Sequence, residues 1–133
     1  MPADAAIDAA IDAETAHNPA ADCLFCRIVS GQIPAEVVRE GARTVAFRDI
    51  VPQAPTHVLV VTREHYRDMA ELAGADPDLA GALLAEATEV AVGQGLAGAG
   101  YRIVLNTGAE AGQTVFHVHA HVLGGRRFGW PPG

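Results

Sequence analysis

Lysine is absent from the 133 residues, so all nine basic side chains are arginines, and beyond a coding bias that absence has no physical reading. No apolar run approaches the ~20 residues of a membrane-spanning helix, which argues against a membrane protein. The N-terminus lacks the basic start and apolar core of a signal peptide, so a cytoplasmic location is expected. Positive charge is scarce as well. The net charge is −7, with five acids and no arginine in residues 1–22 and eleven acids against nine arginines in the remainder. A body so close to neutral lacks the electrostatic footprint of a nucleic-acid-binding protein. Aromatic residues make up only 5 %, yet half the chain is hydrophobic, enough for the core of one domain.

What is present is pattern. Residues 1–21 are Ala-rich and acidic and read as a disordered tail, with one domain over 22–133. Cys23–Val29 reads as a short helix stopped at Ser30-Gly31, and Val37–Arg39 and Thr44–Phe47 as strands around a Glu40-Gly41 turn. After Pro52 and Pro55, His57–Val61 is a third strand, and Asp68–Leu72 a short helix. Asp76-Pro77 is an N-cap with proline in the first turn of a long Ala/Leu helix running to about Val92. Tyr101–Leu105 is a fourth strand, Ala111–Thr114 a turn, and Phe116–Leu123 a fifth strand. Strands in runs with helices apart predict an α+β fold on a five-stranded antiparallel sheet.

In that last strand His117, His119 and His121 alternate with Val118, Ala120 and Val122, so the histidines share one face. At ~3.3 Å per residue the outer two stand about 13 Å apart, too far for one ion to gather all three rings. The histidines therefore divide their labour. Cys23 and Cys26, spaced i, i+3, admit three readings. A redox dithiol wants a βαβ context that is missing, a disulfide does not suit a reducing cytoplasm, and a tetrahedral zinc site needs two further N or S ligands.

His-φ-His-φ-His-φ-φ from His117 to Leu123 resembles the signature of the histidine triad (HIT) superfamily. Asp49-Ile50, Ala54-Pro55-Thr56-His57, Asn106-Thr107-Gly108, Gly112-Gln113 and the closing Trp130-Pro131-Pro132-Gly133 resemble its Hint branch, the purine nucleoside phosphoramidases. The resemblance covers about residues 23–133 and implies a sheet extended across a homodimer. It implies His119 as the nucleophile on an α-phosphorus, with His121 and His57 contacting phosphate and leaving group and Thr114 bonding the phosphate or the amine. The main-chain amides of Gly112, Gln113, Thr114 and Val115 and the side chain of Asn106 become phosphate donors. Asp49 becomes the acceptor of the ribose hydroxyls, and Phe25, Ile28, Phe47 and Ile50 an apolar clamp on the base. The ligand is then a purine nucleoside phosphoramidate or monophosphate.

A zinc-containing subset of the superfamily carries the same Cys-x-x-Cys and completes it with two histidines, which implies Zn2+ on Cys23, Cys26, His65 and His117. Two other readings stay open. One is another nucleotide hydrolase, either zinc-dependent with His117 and His119 chelating a catalytic ion or Fhit-like; the other is a purine-nucleotide-binding protein with vestigial turnover.

Overall fold

The computed structural model describes residues 22–133; the expected tail, residues 1–21, lies outside them. Helix α1 (Leu24–Val29) begins where the Cys23 sulfur accepts the Cys26 N–H. Strands β1 (Val37–Glu40), β2 (Thr44–Arg48) and β3 (Thr56–Thr62) follow, then α2 (Met69–Ala75) and α3 (Pro77–Gly93). Side chains of Asp68 and Asp76 cap α2 and α3 by accepting the N–H groups of Glu71 and Leu79, which satisfies donors that the first helical turn leaves open. Strand β4 (Tyr101–Val104), a 3-10 turn (Ala109–Ala111) and β5 (His119–Gly124) complete the chain. The sheet is antiparallel in the order β1-β2-β3-β5-β4, as the α+β reading expects. Among the described residues no helix is long and apolar enough to cross a membrane.

Strand parity divides the two faces. Ala46, Val58, Val60, Ala120 and Val122 point to one side and pack on Leu79, Leu83, Ala87 and Val90 of α3. Three of the leucines beneath the sheet, Leu72, Leu79 and Leu83, are fully buried, and each stabilises the fold by about 1.5–3 kcal/mol relative to exposure. Val45, Phe47, Leu59 and Val61 point to the other side, against Cys23 and Phe25 of the α1 segment. His57, His119 and His121 belong to this second face, since His57 pairs with Leu123, His121 with Leu59 and His119 with Val61.

The expected fifth strand requires one correction. Phe116, His117 and Val118 precede β5 rather than form its first half. The Val118 N–H donates to the Tyr66 carbonyl over 2.7 Å, and the His117 ring turns toward the segment after β3. The main chain is drawn out of the ladder by these partners, which a period-two pattern does not reveal.

Candidate active site

His119 opens β5 and is buried beneath Phe25, whose ring meets it edge-on with centroids 4.9 Å apart. Its Nδ1–H donates to the His117 carbonyl over 2.7 Å. In a neutral imidazole that bond leaves the lone pair on Nε2. Burial, outweighing the His117 carbonyl that favours the charged form, holds its pKa below the usual histidine value. His119 is therefore a neutral base with a fixed tautomer. It lines a cavity of about 200 Å³ together with Phe25, His57, His121, Asn106 and Thr114.

The other two histidines of this face form a relay. The Gln53 N–H donates to His57 Nδ1 over 3.0 Å, so the neutral ring carries its proton on Nε2. That Nε2 stands 2.9 Å from His121 Nδ1, which must accept, and the proton of His121 then lies on its own Nε2. Asp49 Oδ2 is 3.4 Å from His57 Nε2 but makes no hydrogen bond. Asp49, His57 and His121 bring ligand atoms within 4.8 Å of one another. They do not suit a metal, because His57 Nε2 keeps its proton while Gln53 occupies Nδ1.

Asp49 lies in the wall of a second cavity, about 150 Å³, with Phe25, Ile28, Phe47 and Ile50. Its Oδ1 accepts the Val51 N–H over 2.9 Å, which leaves Oδ2 as a buried acceptor without a partner. Ile50 is 72 % exposed at the rim. Phe25 borders both cavities, so an apolar slot and a histidine-lined pocket stand on either side of one ring.

A separate cluster gathers Cys23, Cys26, His65 and His117, with all ligand atoms within 4.8 Å. His117 Nδ1 is 3.4 Å from the Cys23 sulfur, 3.5 Å from that of Cys26 and 3.1 Å from His65 Nδ1. The Cys26 sulfur is 3.5 Å from His65 Nδ1. A tetrahedral zinc with bonds of ~2.3 Å to sulfur and ~2.05 Å to nitrogen sets S···N at about 3.5 Å and N···N at about 3.3 Å. The donor set fits such an ion. His117 Nε2–H donates to the Thr62 carbonyl over 2.7 Å, so the lone pair of Nδ1 faces the cluster, as a ligating histidine requires. Burial raises both thiol pKa values, that of Cys26 to about 12 with the Cys23 sulfur adding to the shift.

The division of labour is now geometric: the ring of His117 serves the sulfur cluster and its carbonyl orients His119. Residues 30–128 match the HIT domain. The chain belongs to the HIT domain family. A HIT-like protein of Synechocystis is 46 % identical over 114 residues, 86 % of this chain and 99 % of that protein. The solved structure of a HIT family hydrolase from Legionella pneumophila matches with a TM-score of 0.80 at 46 % identity, over 84 % of this chain and 99 % of that one. A histidine triad nucleotide-binding protein from Candida albicans gives 0.71 at 30 % identity over 82 % of each chain.

Within this HIT domain two expected phosphate donors are already engaged. The N–H of Gly112 bonds the Ala109 carbonyl and that of Gln113 the Gly108 carbonyl. The 3-10 turn, which the sequence did not signal, consumes them. Gln113 is 2 % exposed and its side chain has a structural task. Its Oε1 accepts the Gly108 N–H over 2.9 Å, and its Nε2 donates to the carbonyls of Arg67 and Val115 at 2.8 and 3.2 Å. Gln113→Leu strands these three main-chain groups. At ~1 kcal/mol for each lost bond, urea titration should register a loss of about 2–4 kcal/mol. Gln53 was missed from sequence, because a main-chain donor leaves no trace in residue identity.

Proposed function

We propose that the protein hydrolyses the P–N bond of purine nucleoside 5′-phosphoramidates. The observation that carries this is the tautomer of His119: Nδ1–H is committed to the His117 carbonyl, and the lone pair of Nε2 is left at the pocket that His121 and Thr114 share. A lone pair held in place beside hydrogen-bond donors suits attack on phosphorus. Attack by Nε2 forms an N–P bond while the P–N bond to the amine breaks. Water supplies the proton of the departing amine and the hydroxyl that then displaces His119. Over the two steps the ring returns to its neutral state, and one difficult displacement becomes two easier ones.

The remaining assignments follow the two cavities. The base lies between Phe25, Phe47, Ile28 and Ile50, and the ribose hydroxyls reach the unpartnered Oδ2 of Asp49. The Nε2–H of His121 and the hydroxyl of Thr114 meet the phosphate or the leaving amine. His57 has both nitrogens engaged, so it orients His121 rather than touching substrate. Asn106 adds a side-chain amide at the cavity wall. The hydrolase from Legionella and the nucleotide-binding protein from Candida, both similar over most of their length, support this reading.

Zn2+ on Cys23, Cys26, His65 and His117 is structural in this proposal, since four protein ligands close a tetrahedral site. A catalytic ion shared by His117 and His119 is disfavoured, because His117 has its Nδ1 in the sulfur cluster and its Nε2 on Thr62. We also propose a homodimer through β4, an edge strand whose Arg102 bonds the Gly129 carbonyl next to the exposed Trp130. The test of function is phosphorus NMR of adenosine 5′-phosphoramidate incubated with the protein. Accumulating adenosine monophosphate is expected. Tight binding without turnover would instead favour a nucleotide-binding role.

A further inference from the structure

The proton arrangement of the His57–His121 relay depends on where one main-chain N–H points, that of Gln53. Gln53 sits in an exposed loop, a poor place to hold a donor unless something grips it. Two contacts from the far side of β5 do so. Arg126 Nε donates to the Gln53 carbonyl over 3.0 Å. Gly125 has φ +89°, and a Cβ on it would stand 2.9 Å from the Cβ of Pro55, so the turn presses on the other end of the loop. Arg126 is itself held, with its guanidinium 4.3 Å from the centroid of the Phe128 ring and its Nη1 donating to the Arg127 carbonyl over 3.2 Å.

We propose that the turn Gly125–Phe128 is a clamp that dictates the tautomers of His57 and His121, with Arg126 as its positioning residue. The N–H and carbonyl of Gln53 flank a single Cα, and Pro52 before it has its φ locked by the ring. Arg126 on the carbonyl and His57 Nδ1 on the N–H thus hold the two peptide planes on either side of that Cα. With that N–H on His57 Nδ1, His57 donates from Nε2, and His121 accepts at Nδ1 and keeps Nε2–H for the pocket. If Gln53 swung away, His57 would be free to protonate at Nδ1 and accept at Nε2. His121 would then donate from Nδ1 and present a bare lone pair to the pocket. Toward phosphate oxygens that exchange replaces attraction by repulsion. Asp49 Oδ2, 3.4 Å from His57 Nε2, is a competing acceptor for the same proton. It reinforces the placement of that proton on Nε2.

The tautomer assignment stands on geometry alone, whereas its catalytic consequence rests on the phosphoramidase reading. The experiment separates the two. The full chain with nitrogen-15-labelled histidine is examined by long-range imidazole NMR near neutral pH without nucleotide, as wild type and as Arg126→Ala. The expected wild-type result is a protonated Nε2 and a bare Nδ1 on both His57 and His121. A proton on His57 Nδ1 in the wild type would overturn the relay and the clamp with it. Arg126 is exposed, and its alanine variant is expected to melt near the wild-type temperature while both rings shift toward tautomer averaging. Its kcat on the phosphoramidate should fall about tenfold, the worth of one charge-assisted hydrogen bond, with KM little changed. Unchanged tautomers in Arg126→Ala would sink the clamp. Correct tautomers that loosen in Arg126→Ala, in a protein with no turnover, would sustain the clamp and remove the phosphoramidase reading.

Discussion

His119→Ala should lower phosphoramidate turnover by at least about 10⁴-fold, the order found when a nucleophile is removed from a site whose parts act together. The variant should still fold, because the ring sits at the first residue of β5 and the core below the sheet belongs to the opposite face. Nucleotide affinity should survive, since the apolar slot and Asp49 do not depend on His119. Alkaline quenching of the wild type during turnover, which preserves an N–P bond to imidazole, should trap up to one nucleotidyl group per chain, and His119→Ala should show none. His121→Ala should fare less badly, losing about 10²-fold, because it removes one hydrogen-bond donor to the phosphate or amine and not the attacking atom. Equal damage from both substitutions, with no trapped adduct, would mean that water attacks phosphorus directly and that His119 only positions it.

Stripping metal from the protein should lower the melting temperature by roughly 10–20 °C, the equivalent of about 4 kcal/mol for an ion present a thousandfold above its Kd. The stripped chain should remain folded below that temperature. Neutral thiols tolerate burial, and the His117 ring keeps its bond to Thr62 without the ion. For the same reason turnover in a chelator should decline with loss of fold rather than at once, since the carbonyl that orients His119 stays in place. Cys26→Ala should reproduce the stability loss and the insensitivity to chelator together. Cobalt added to the stripped protein should give the visible spectrum of a tetrahedral thiolate site. An unchanged melting curve, with both thiols equally reactive before and after chelation, would show that the cluster holds no ion.

Much of the fold was legible because its signals are local. Asp76 followed by Pro77 announces a helix start whatever packs around it, and the helix begins there. The valine run after His57 announces a strand, and β3 extends it by one residue at each end. The stretch from Phe116 to Val118 was misread as strand because its alternation is real but its hydrogen bonds go elsewhere. Val118 bonds to Tyr66 across a span of 52 residues, and no local pattern encodes that partner. The main-chain N–H of Gln113, expected as a phosphate donor, bonds the Gly108 carbonyl instead, and the three main-chain partners of its side chain come from positions that no local pattern encodes.

Residue types and their spacing are legible in the chain alone: three histidines at period two, two thiols one helical turn apart, and the apolar residues that alternate with the histidines. Those are properties of neighbours in the chain. Only the tertiary structure decided which nitrogen of each imidazole carries the proton. It gave the His117 ring to the sulfur cluster and its carbonyl to His119, and it placed His57 against His121 across the β3–β5 ladder. The physical reason is that an imidazole has two chemically similar nitrogens, and the partner each one meets, brought from a distant part of the chain, selects between them.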